Sequence, residues 1–362
     1  MRGSIFVNWT KTFIRKTLNI ALWRQYHQGH KLQALQVLKN IESQKGFLNQ
    51  AIRNKCDQYA VDVLGNHIYA PWLYVYSSIA NEFKEGWIPD NYYGMLVNKQ
   101  FKGDYGKISS LKSLNSLVFN SNYFPDILSY ANGIFFDRNN TPLEKKEVSN
   151  RLFEISERVV YKLDNSQQGL GIFFFSKDNF DIEKIQRLGN GLFQSFIKQH
   201  KLLSSFSASS VATLRITTTC SDTGEISIRA CYLRLGEEGD TRVRVANVRI
   251  PIDVNNGAFS NVGYTLDWLE ITRHPENNKD FSNHTFPSFD KVCSVVKELH
   301  KKVPYVRCIG WDVAVDELGE ILVMEWNGEH NDIKFSEATQ GPCFADLRWE
   351  LLKDKKFNYY SS

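Results

Sequence analysis

The sequence predicts an α+β protein in which a helical lobe precedes a larger region of helices and antiparallel sheet. Apolar residues recur at helical spacing through most of residues 1–85, whereas residues 158–327 contain short β-rich runs that are separated by turn sequences. A chain of 362 residues is long enough for two domains, or for one large domain with an added lobe. We therefore expect a helical lobe over residues 1–85 and a main domain over residues 86–362.

Composition and charge disfavour several classes of protein. The formal net charge is only +4 and no run holds five or more basic residues, so nucleic acid is not an expected partner. No run approaches about eighteen apolar residues, so we expect no transmembrane segment. The first 25 residues are basic and aromatic; such a segment can lie on a membrane surface, but more often it packs on its own domain. The six cysteines form no C-x-x-C pair, and no signal peptide is evident, which together predict a cytoplasmic protein with reduced thiols.

The first 85 residues predict several helices without obvious chemistry. Leu32, Leu35, Leu38 and Ile41 recur at helical spacing, and Pro71 interrupts the pattern. We expect these helices to pack against the main body or to present a docking surface.

The next part of the chain mixes helical and strand signals. Residues 109–119 have helical spacing, and residues 124–127 begin a strand-like stretch. Thr141 and Glu144 have the spacing of a capping box with proline at the first helical position, which predicts a helix reaching Ser156.

A strand, a glycine-containing loop and a second strand follow. Residues 158–163 and 172–175 predict the two strands, with Lys162 near the end of the first. A lysine beside a loop whose glycines allow backbone N–H groups to approach a ligand is suited to binding a phosphate chain. The alternative is an exposed lysine beside an ordinary hairpin loop, because the loop is not a Walker motif.

Arginines are concentrated in the strands beyond this loop. Arg215 alternates with Leu214 and Ile216, so its side chain is expected on the opposite face of its strand. Those arginines that lie on a strand facing a cleft could bind phosphate or carboxylate groups bidentately, while most should be solvated or structural. Four more arginines fall within sixteen residues: Arg234, Arg242, Arg244 and Arg249. We expect strands at 192–197, 213–219 and 226–233 and helices at 181–190, 286–303 and 344–352.

Residues 309–327 predict a tight hairpin that carries three oxygen-bearing side chains. Glu325 and Asn327 are two positions apart on the returning strand and therefore share a face. Asp312 on the first strand lies opposite them if the hairpin register pairs the two faces. Two carboxylates and an amide oxygen are ligands that a hard cation such as Mg²⁺ prefers. The alternative is a pair of hydrated carboxylates on a solvent face, although Glu325 lies within an apolar run where an uncompensated acid is costly.

These stretches, taken in order, resemble the ATP-grasp superfamily and, within it, the sugar-transfer-associated ATP-grasp family. The resemblance covers roughly residues 85–350. The matching stretches are Val159-Val160-Tyr161-Lys162, Gln168-Gly169-Leu170-Gly171, Gln194-Ser195-Phe196-Ile197-Lys198-Gln199-His200, Thr213-Leu214-Arg215-Ile216, Gly310-Trp311-Asp312 and Glu325-Trp326-Asn327.

The resemblance implies an ATP-grasp fold, in which two α+β lobes grip ATP between antiparallel sheets, with ATP and Mg²⁺ as cofactors. It places the nucleotide-gripping subdomain at about 140–200 and the metal-binding, catalytic subdomain at about 201–350. Two departures concern the acceptor pocket more than the ATP site. Residues 242–257 form a shorter segment than the family pattern has, and they lack its paired glycines. Gly-Glu-His-Asn follows Asn327, where many members of the family have a proline-containing turn.

The resemblance also implies a role for each matching residue. Lys162 is similar to the strand lysine that contacts the phosphates, and Lys112 to the earlier ATP-binding lysine. Arg215 is similar to the arginine that reaches the transferred phosphate or an acyl phosphate. The loop over the phosphates corresponds to Gln168, Gly169 and Gly171, the adenine-binding hinge to Gln194, Ser195, Phe196 and Ile197, and the Mg²⁺ ligands to Asp312, Glu325 and Asn327.

The function that these implications predict is an ATP- and Mg²⁺-dependent ligase. It would activate a carboxylate, such as that of a sugar acid, as an acyl phosphate that an amine then attacks, in surface or exopolysaccharide biosynthesis. Polysaccharide-assembly proteins would then be candidate partners. Two alternatives remain open: an ATP-grasp sugar kinase, and a nucleotide-binding accessory subunit that docks a glycosyltransferase through residues 1–85.

Overall fold

A computed structural model describes residues 2–166, 170–208, 210–236 and 248–354. They form two units, residues 2–97 together with 333–354, and residues 98–332. The division expected from the sequence, at residue 85 with everything beyond it in one domain, differs from this grouping.

The helices of the described chain are numbered here in order. They are α1 (Arg2–Lys45), α2 (Gln50–Asp62), α3 (Ala70–Ala80), α4 (Asp90–Tyr92), α5 (Asn98–Phe101), α6 (Asn115–Phe119), α7 (Lys145–Ile155), α8 (Ile182–Leu188), α9 (Lys201–Ser204), α10 (Phe289–Lys302) and α11 (Lys334–Gln340). Across the described ranges, no helix combines the length and the apolar character that crossing a membrane requires.

The strands are numbered in the same way. They are β1 (Asp126–Ala131), β2 (Ile134–Asp137), β3 (Pro142–Leu143), β4 (Arg158–Leu163), β5 (Ile172–Ser176), β6 (Gly191–Ser195), β7 (Thr213–Cys220), β8 (Ile226–Leu235), β9 (Val248–Ile252), β10 (Gly263–Thr265), β11 (Glu270–Ile271), β12 (Cys308–Val315) and β13 (Ile321–Asn327).

The first unit is helical, as predicted, but the buried stripe of α1 differs from the expected one. Leu32 and Leu35 are exposed, whereas Ala34, Leu38 and Ile41 are buried. Positions 34, 38 and 41 follow the i, i+4, i+7 spacing of one helix face, so this stripe packs against the neighbouring helices.

The second unit contains two antiparallel sheets, which confirms the predicted α+β class. The six-stranded sheet has the order β3-β2-β1-β6-β4-β5, and the seven-stranded sheet has the order β11-β10-β9-β8-β7-β12-β13. Each sheet buries one face. Tyr161 and Phe193 pack with Val148 of α7 on the first sheet, and Trp311 packs with Val296 of α10 on the second. The opposite faces are left for polar side chains, because side chains alternate along a strand.

Three predicted helices take a different form. The helix expected over residues 141–156 begins at Lys145, with Glu144 as its N-cap in a capping box with Glu147. Pro142–Leu143 is instead strand β3, because it pairs with β2 and Leu143 packs against the apolar core of that sheet.

Tight turns replace most of the other two predicted helices. Residues 109–119 form short 3-10 turns, Tyr105–Ser110 and Lys112–Leu114, before α6. Residues 344–352 lie in two further 3-10 turns, Ala345–Leu347 and Trp349–Asp354. In both segments the apolar spacing fails to report burial, because Leu117 and Leu351 are exposed while the polar residues Lys112 and Asn115 are buried.

Candidate functional site

The polar face of the seven-stranded sheet carries three of the predicted site residues. Asp312 on β12 lies opposite Arg215 on β7 and, on its other side, opposite Glu325 on β13. Residues directly opposite each other on neighbouring strands share a face. Leu214 and Trp311, the neighbours of Arg215 and Asp312 along their strands, are buried in the core on the other face.

A bulge in β13 puts Glu325 on this polar face. Asp312 pairs with Glu325, but the next residue, Val313, pairs with Val323, so Met324 is an extra residue with no partner in the ladder. Without the bulge, Glu325 would share a face with Val323, which is buried in the core. With it, Glu325 turns to the polar face while Trp326 remains in the core.

Asp312 is held by two arginines. Its two carboxylate oxygens accept hydrogen bonds from Nε of Arg215 at 2.6 Å and from Nη2 at 2.9 Å, and Nη1 of Arg234 lies 3.3 Å from each. Burial alone would raise the pKa of Asp312, but the charges of Arg215 and Arg234 outweigh it and lower that pKa to about 2. Burial likewise opposes the charge of Arg215, and the Asp312 carboxylate raises the pKa of Arg215 above its usual value. Asp312 and Arg215 are therefore both ionised.

Glu325 forms an ion pair with a lysine instead of an arginine. Its Oε1 lies 3.6 Å from Nζ of Lys112, which donates a hydrogen bond to the carbonyl of Ser166 at 2.9 Å. The Lys112 side chain is 9% exposed and that of Glu325 37%, so the carboxylate is the more accessible partner. Asn327 lies two residue pairs further along β13, where its Nδ2 donates to the carbonyl of Gly310 at 3.2 Å.

Side chains from the six-stranded sheet converge on the same strand. Nζ of Lys162 and Nε2 of Gln194 each lie 3.4 Å from the carbonyl oxygen of Met324, the bulged residue before Glu325. Gln194 also donates to Oδ1 of Asp126 at 2.8 Å. Lys162, Gln194 and Asp126 are all buried, so this contact joins the polar faces of the two sheets.

Burial shifts the ionisation of both charged groups at this junction. It lowers the pKa of Lys162, while the nearby carboxylates of Glu325 and Asp126 oppose that shift. It raises the pKa of Asp126 to about 6, against the hydrogen bond from Gln194 and the charge of Lys162. A lysine and a carboxylate that are costly to keep charged in the protein alone are typical of functional sites, because a charged ligand can compensate them.

The predicted phosphate loop is only partly described. Gln168 and Gly169 lie outside the described residues. Gly171 has a φ of 73°, a left-handed conformation that favours glycine, and a Cβ there would lie 2.9 Å from Cβ of Ser166. Its carbonyl accepts a hydrogen bond from the N–H of Leu163 at 2.9 Å, which closes the base of the β4–β5 hairpin.

Two backbone N–H groups of the predicted adenine-binding hinge already donate hydrogen bonds within the protein. The N–H of Ser195 donates to the carbonyl of Pro125 at 2.8 Å, and the N–H of Phe196 donates to the carbonyl of Arg158 at 3.2 Å. Phe196 and Ile197 lie just beyond the end of β6. Since two of its N–H groups already donate within the protein, this segment would recognise a base mainly through carbonyl oxygens.

Sequence reasoning assigned no role to two residues of the site. Asp126 follows Phe124-Pro125 at the start of a predicted strand. An acid among apolar residues is the one feature of the sequence that could have indicated a functional role for it. Arg234 is one of several arginines close together in the sequence, and the sequence alone does not single it out. It lies two residues after Tyr232, which pairs with Arg215, so Arg234 and Arg215 share a face of the sheet. In the described parts of the chain, no group of three or more His, Cys, Asp or Glu side chains is placed to hold a metal ion.

Comparison with known proteins finds one family model that matches a segment of the chain. Residues 176–347 match the family model described as sugar-transfer associated ATP-grasp. Among curated proteins, no sequence matches this chain.

Several solved structures are similar in fold at low sequence identity. A biotin carboxylase from Campylobacter jejuni is 10% identical with a TM-score of 0.45, covering 90% of this chain and 69% of that one. The biotin carboxylase domain of 2-oxoglutarate carboxylase from Hydrogenobacter thermophilus is 12% identical with a TM-score of 0.42, covering 70% of this chain. This chain spans about half of that domain, 47%. D-alanyl-alanine synthetase A from Vibrio cholerae is 13% identical with a TM-score of 0.41, covering 68% of this chain and 65% of that one.

The family match includes β7, β12 and β13, which carry Arg215, Asp312 and Glu325 on one face. The match includes the resembling stretches from Gln194 onward, whereas Lys162 and the loop at 168–171 lie outside it. Residues 176–347 are thus similar to the sugar-transfer associated ATP-grasp family.

Proposed function

We propose that residues 98–332 bind ATP with Mg²⁺ between their two sheets and transfer its γ-phosphoryl group to a carboxylate. One observation carries this proposal: Lys162 reaches from the six-stranded sheet to the strand of the other sheet that presents Glu325. Lys112 approaches the same carboxylate from a turn beside the first sheet. Two cations on one side and a carboxylate on the other suit a phosphate chain with a bound divalent cation.

Lys162 and Lys112 are the proposed phosphate ligands. Both ammonium groups are buried and both are positioned by carbonyl oxygens, those of Met324 and Ser166. A charged phosphate oxygen could take the place of the carbonyl oxygen as the acceptor of each lysine. Hydrogen bonds between charged groups are about twice as strong as those between neutral groups. The Gly171 end of the β4–β5 loop lies beside this position and would cover the phosphates.

The residues present fit a Mg²⁺ ion, but the three predicted ligands differ in how available their oxygen atoms are. Glu325 offers an accessible carboxylate and Asn327 an amide oxygen, while the acceptor positions of Asp312 are occupied by Arg215 and Arg234. Asp312 would become a ligand only if an anionic substrate drew the arginines away. Mg²⁺ commonly binds one or two carboxylates together with substrate phosphates, and it would neutralise charge that develops during transfer.

Arg215 is the proposed partner of the acceptor. Its guanidinium is fixed by Asp312 and by the carbonyl of Asn331, which accepts from Nη1 at 3.1 Å. A fixed guanidinium can hold a carboxylate in place and stabilise the negative charge that develops as it accepts the phosphoryl group. An amine would then attack the carbonyl carbon of the acyl phosphate, displacing inorganic phosphate and losing a proton to form an amide, with water excluded by the closed loop.

The family description supports a place in sugar transfer, and we extend it to surface or exopolysaccharide biosynthesis in the cytoplasm. The substrates would be a carboxylate, such as a sugar acid, and an amine. Polysaccharide-assembly proteins are the proposed partners.

Product analysis with γ-labelled ATP tests this proposal. Full-length protein is incubated with Mg²⁺ and a panel of sugar acids and amines, and label and products are followed by chromatography and mass spectrometry. An amide formed with release of labelled phosphate supports the ligase. A stable phosphorylated sugar contradicts it and favours the sugar kinase. Nucleotide binding without turnover on any pair, combined with loss of glycosyltransferase binding when residues 1–85 are deleted, contradicts it and favours the accessory subunit.

A further inference from the structure

Residues 17–25 of α1 precede the part of this helix that packs in its unit. From residue 27 onward, α1 forms hydrogen bonds to its neighbours: Nδ2 of Asn91 lies 3.1 Å from Nδ1 of His27, and Nε1 of Trp72 donates to Nδ1 of His30 at 3.2 Å. Residues 17–25, by contrast, are all exposed. Nine helical residues make about two and a half turns, so exposed side chains lie on every side of this segment.

Four of these exposed side chains are large and apolar. They are Leu18, Ile20, Leu22 and Trp23, and Trp23, the least exposed of them, is still 38% exposed. Leu18 and Leu22 are four positions apart and share one side of the helix, whereas Ile20 and Trp23 are three apart and share another. Single exposed apolar residues are normal on a soluble protein, but a contiguous apolar patch marks a surface that binds another molecule.

The charge of α1 has one sign over almost its whole length. The helix contains no acidic residue before Glu42. Its sequence up to that point contains seven basic residues: Arg2, Lys11, Arg15, Lys16, Arg24, Lys31 and Lys39. Because the formal net charge of the whole chain is only +4, the rest of the chain is net negative, and the excess positive charge is concentrated in this helix.

This charge favours one kind of partner over the others. A second copy of the chain would bring the same basic residues against the segment, and like charges repel. Residues 355–362, which lie outside the described part of the chain, contain two lysines and no acid, so they are disfavoured for the same reason. A membrane surface that contains anionic lipids attracts basic segments instead, and helices that lie on such surfaces combine Lys and Arg with Trp, Phe and Leu.

An acidic protein would also match the charge, but the apolar side chains favour lipid. A protein groove covers one face of a helix, whereas here exposed apolar side chains occupy two faces. Lipid can surround a helix on several sides while the long side chains of Lys and Arg reach back to the headgroups. A tryptophan such as Trp23 suits that boundary, because its ring is apolar and its N–H is polar.

We propose that the N-terminal segment of α1, residues 2–25, binds the surface of a membrane that contains anionic lipid. The apolar side chains at positions 18–23 would enter the boundary between headgroups and acyl chains, and the basic residues would contact anionic headgroups. Lys11, Arg15 and Lys16 interrupt the apolar sequence, and a charge at the centre of a bilayer is costly, so the segment would lie on the membrane and not cross it. This inference goes beyond the proposed reaction and does not depend on the nucleotide site.

Co-sedimentation of the full-length protein with lipid vesicles tests this proposal. The probes are vesicles of phosphatidylcholine alone and vesicles that also contain phosphatidylglycerol, which is anionic. The protein should bind the anionic vesicles about tenfold or more tightly, because several basic residues each gain from a negative surface. Added salt should weaken that binding, because it shortens the range of the attraction. Equal binding to the two kinds of vesicle, or binding to neither, overturns the inference.

A double substitution, Leu18→Gln with Leu22→Gln, links vesicle binding to α1. Both leucines are exposed and glutamine is a good helix former, so the fold should be kept, which circular dichroism checks. Binding to the anionic vesicles should fall about tenfold or more, because two apolar side chains no longer leave water. The matched control, Leu117→Gln with Leu318→Gln, changes two still more exposed leucines of the second unit and should bind like wild type.

Three results of these measurements would overturn the proposal. Undiminished binding by the α1 variant would place the membrane contact elsewhere in the chain. An equal loss in the control variant would show adsorption that is not specific to α1. A dimer that sedimentation velocity detects without lipid, and that Leu18→Gln with Leu22→Gln abolishes, would show that the segment binds a second copy of the chain.

Discussion

Asp312 lies directly opposite Glu325 in the β12–β13 register, yet the two carboxylates bind different cations. Asp312 is held by Arg215, whereas Glu325 lies beside Lys112. In the proposed function, the Arg215 side of this pair binds the acceptor and the Lys112 side binds the phosphates. This division gives each carboxylate its own test.

Glu325→Gln should weaken Mg²⁺-dependent nucleotide binding. The change removes the carboxylate charge while keeping its size, and we expect affinity to fall roughly tenfold or more, with a further loss when Asn327→Ala is added. Calorimetry with ATP in the presence of Mg²⁺ and in EDTA measures the effect. Glu320→Gln, on the same hairpin but in an exposed pair with Lys291, is the control and should bind normally. Unchanged Mg²⁺ dependence in the doubly substituted protein contradicts the metal assignment.

Breaking the Asp312–Arg215 pair should destabilise the protein. Asp312→Asn leaves a buried guanidinium without its counter-charge, so the free energy of unfolding should fall by about 3–5 kcal/mol. Arg215→Met should cost a similar amount, and the doubly substituted protein should lose clearly less than the sum. Urea denaturation measures all three. The pair Arg307 and Asp222, whose atoms lie 2.7 Å apart and whose carboxylate is exposed, is the control and should show much weaker coupling because solvent screens it. Additive losses at Asp312 and Arg215 would contradict the ion pair.

Asp126→Asn should remove a pH dependence of stability. Because the pKa of Asp126 is raised from 3.8 to about 6, the folded protein binds more protons than the unfolded chain between those values. The contribution of this group to stability is thus full below about pH 4 and is lost as pH rises through about 6, a change of at most about 3 kcal/mol. The asparagine oxygen can still accept the hydrogen bond from Gln194. Denaturation midpoints from pH 4.5 to 7 should fall in wild type relative to the variant, and parallel curves would count against the shifted carboxyl.

Gly310→Ala should disturb Arg215 without changing any charge. An added Cβ would lie 2.8 Å from Cβ of Asn331 and 3.3 Å from Cδ of Arg215. Because Asn331 is fully buried, we expect a loss of about 1–3 kcal/mol in stability and weaker binding of the acceptor. Gly29→Ala, in α1 with no neighbour within 4 Å, should keep or slightly raise stability. Equal stability of the two variants would show that Arg215 has room to shift.

Local patterns in the sequence predicted the strands of the site but could not predict its details. The period of two placed Arg215 and Asp312 correctly on the face away from Leu214 and Trp311. It could not reveal the bulge at Met324, because a bulge is defined by pairing with another strand.

Contacts distant in sequence account for the other differences. Glu144 caps α7 in place of Thr141 because the residues between them join the edge of a sheet. The role of Asp126 depends on Gln194, which lies 68 positions further along the chain. Such contacts form only after the chain folds, so residue spacing carries no record of them.

A crystal structure with a non-hydrolysable ATP analogue and Mg²⁺ tests the central claim most directly. The account predicts phosphate oxygens within hydrogen-bond distance of Nζ of Lys162, about 3 Å, and a Mg²⁺ ion bound to Glu325 at about 2.1 Å. A nucleotide bound elsewhere in the chain, with Lys162 still donating to Met324 and Glu325 still beside Lys112, would contradict it.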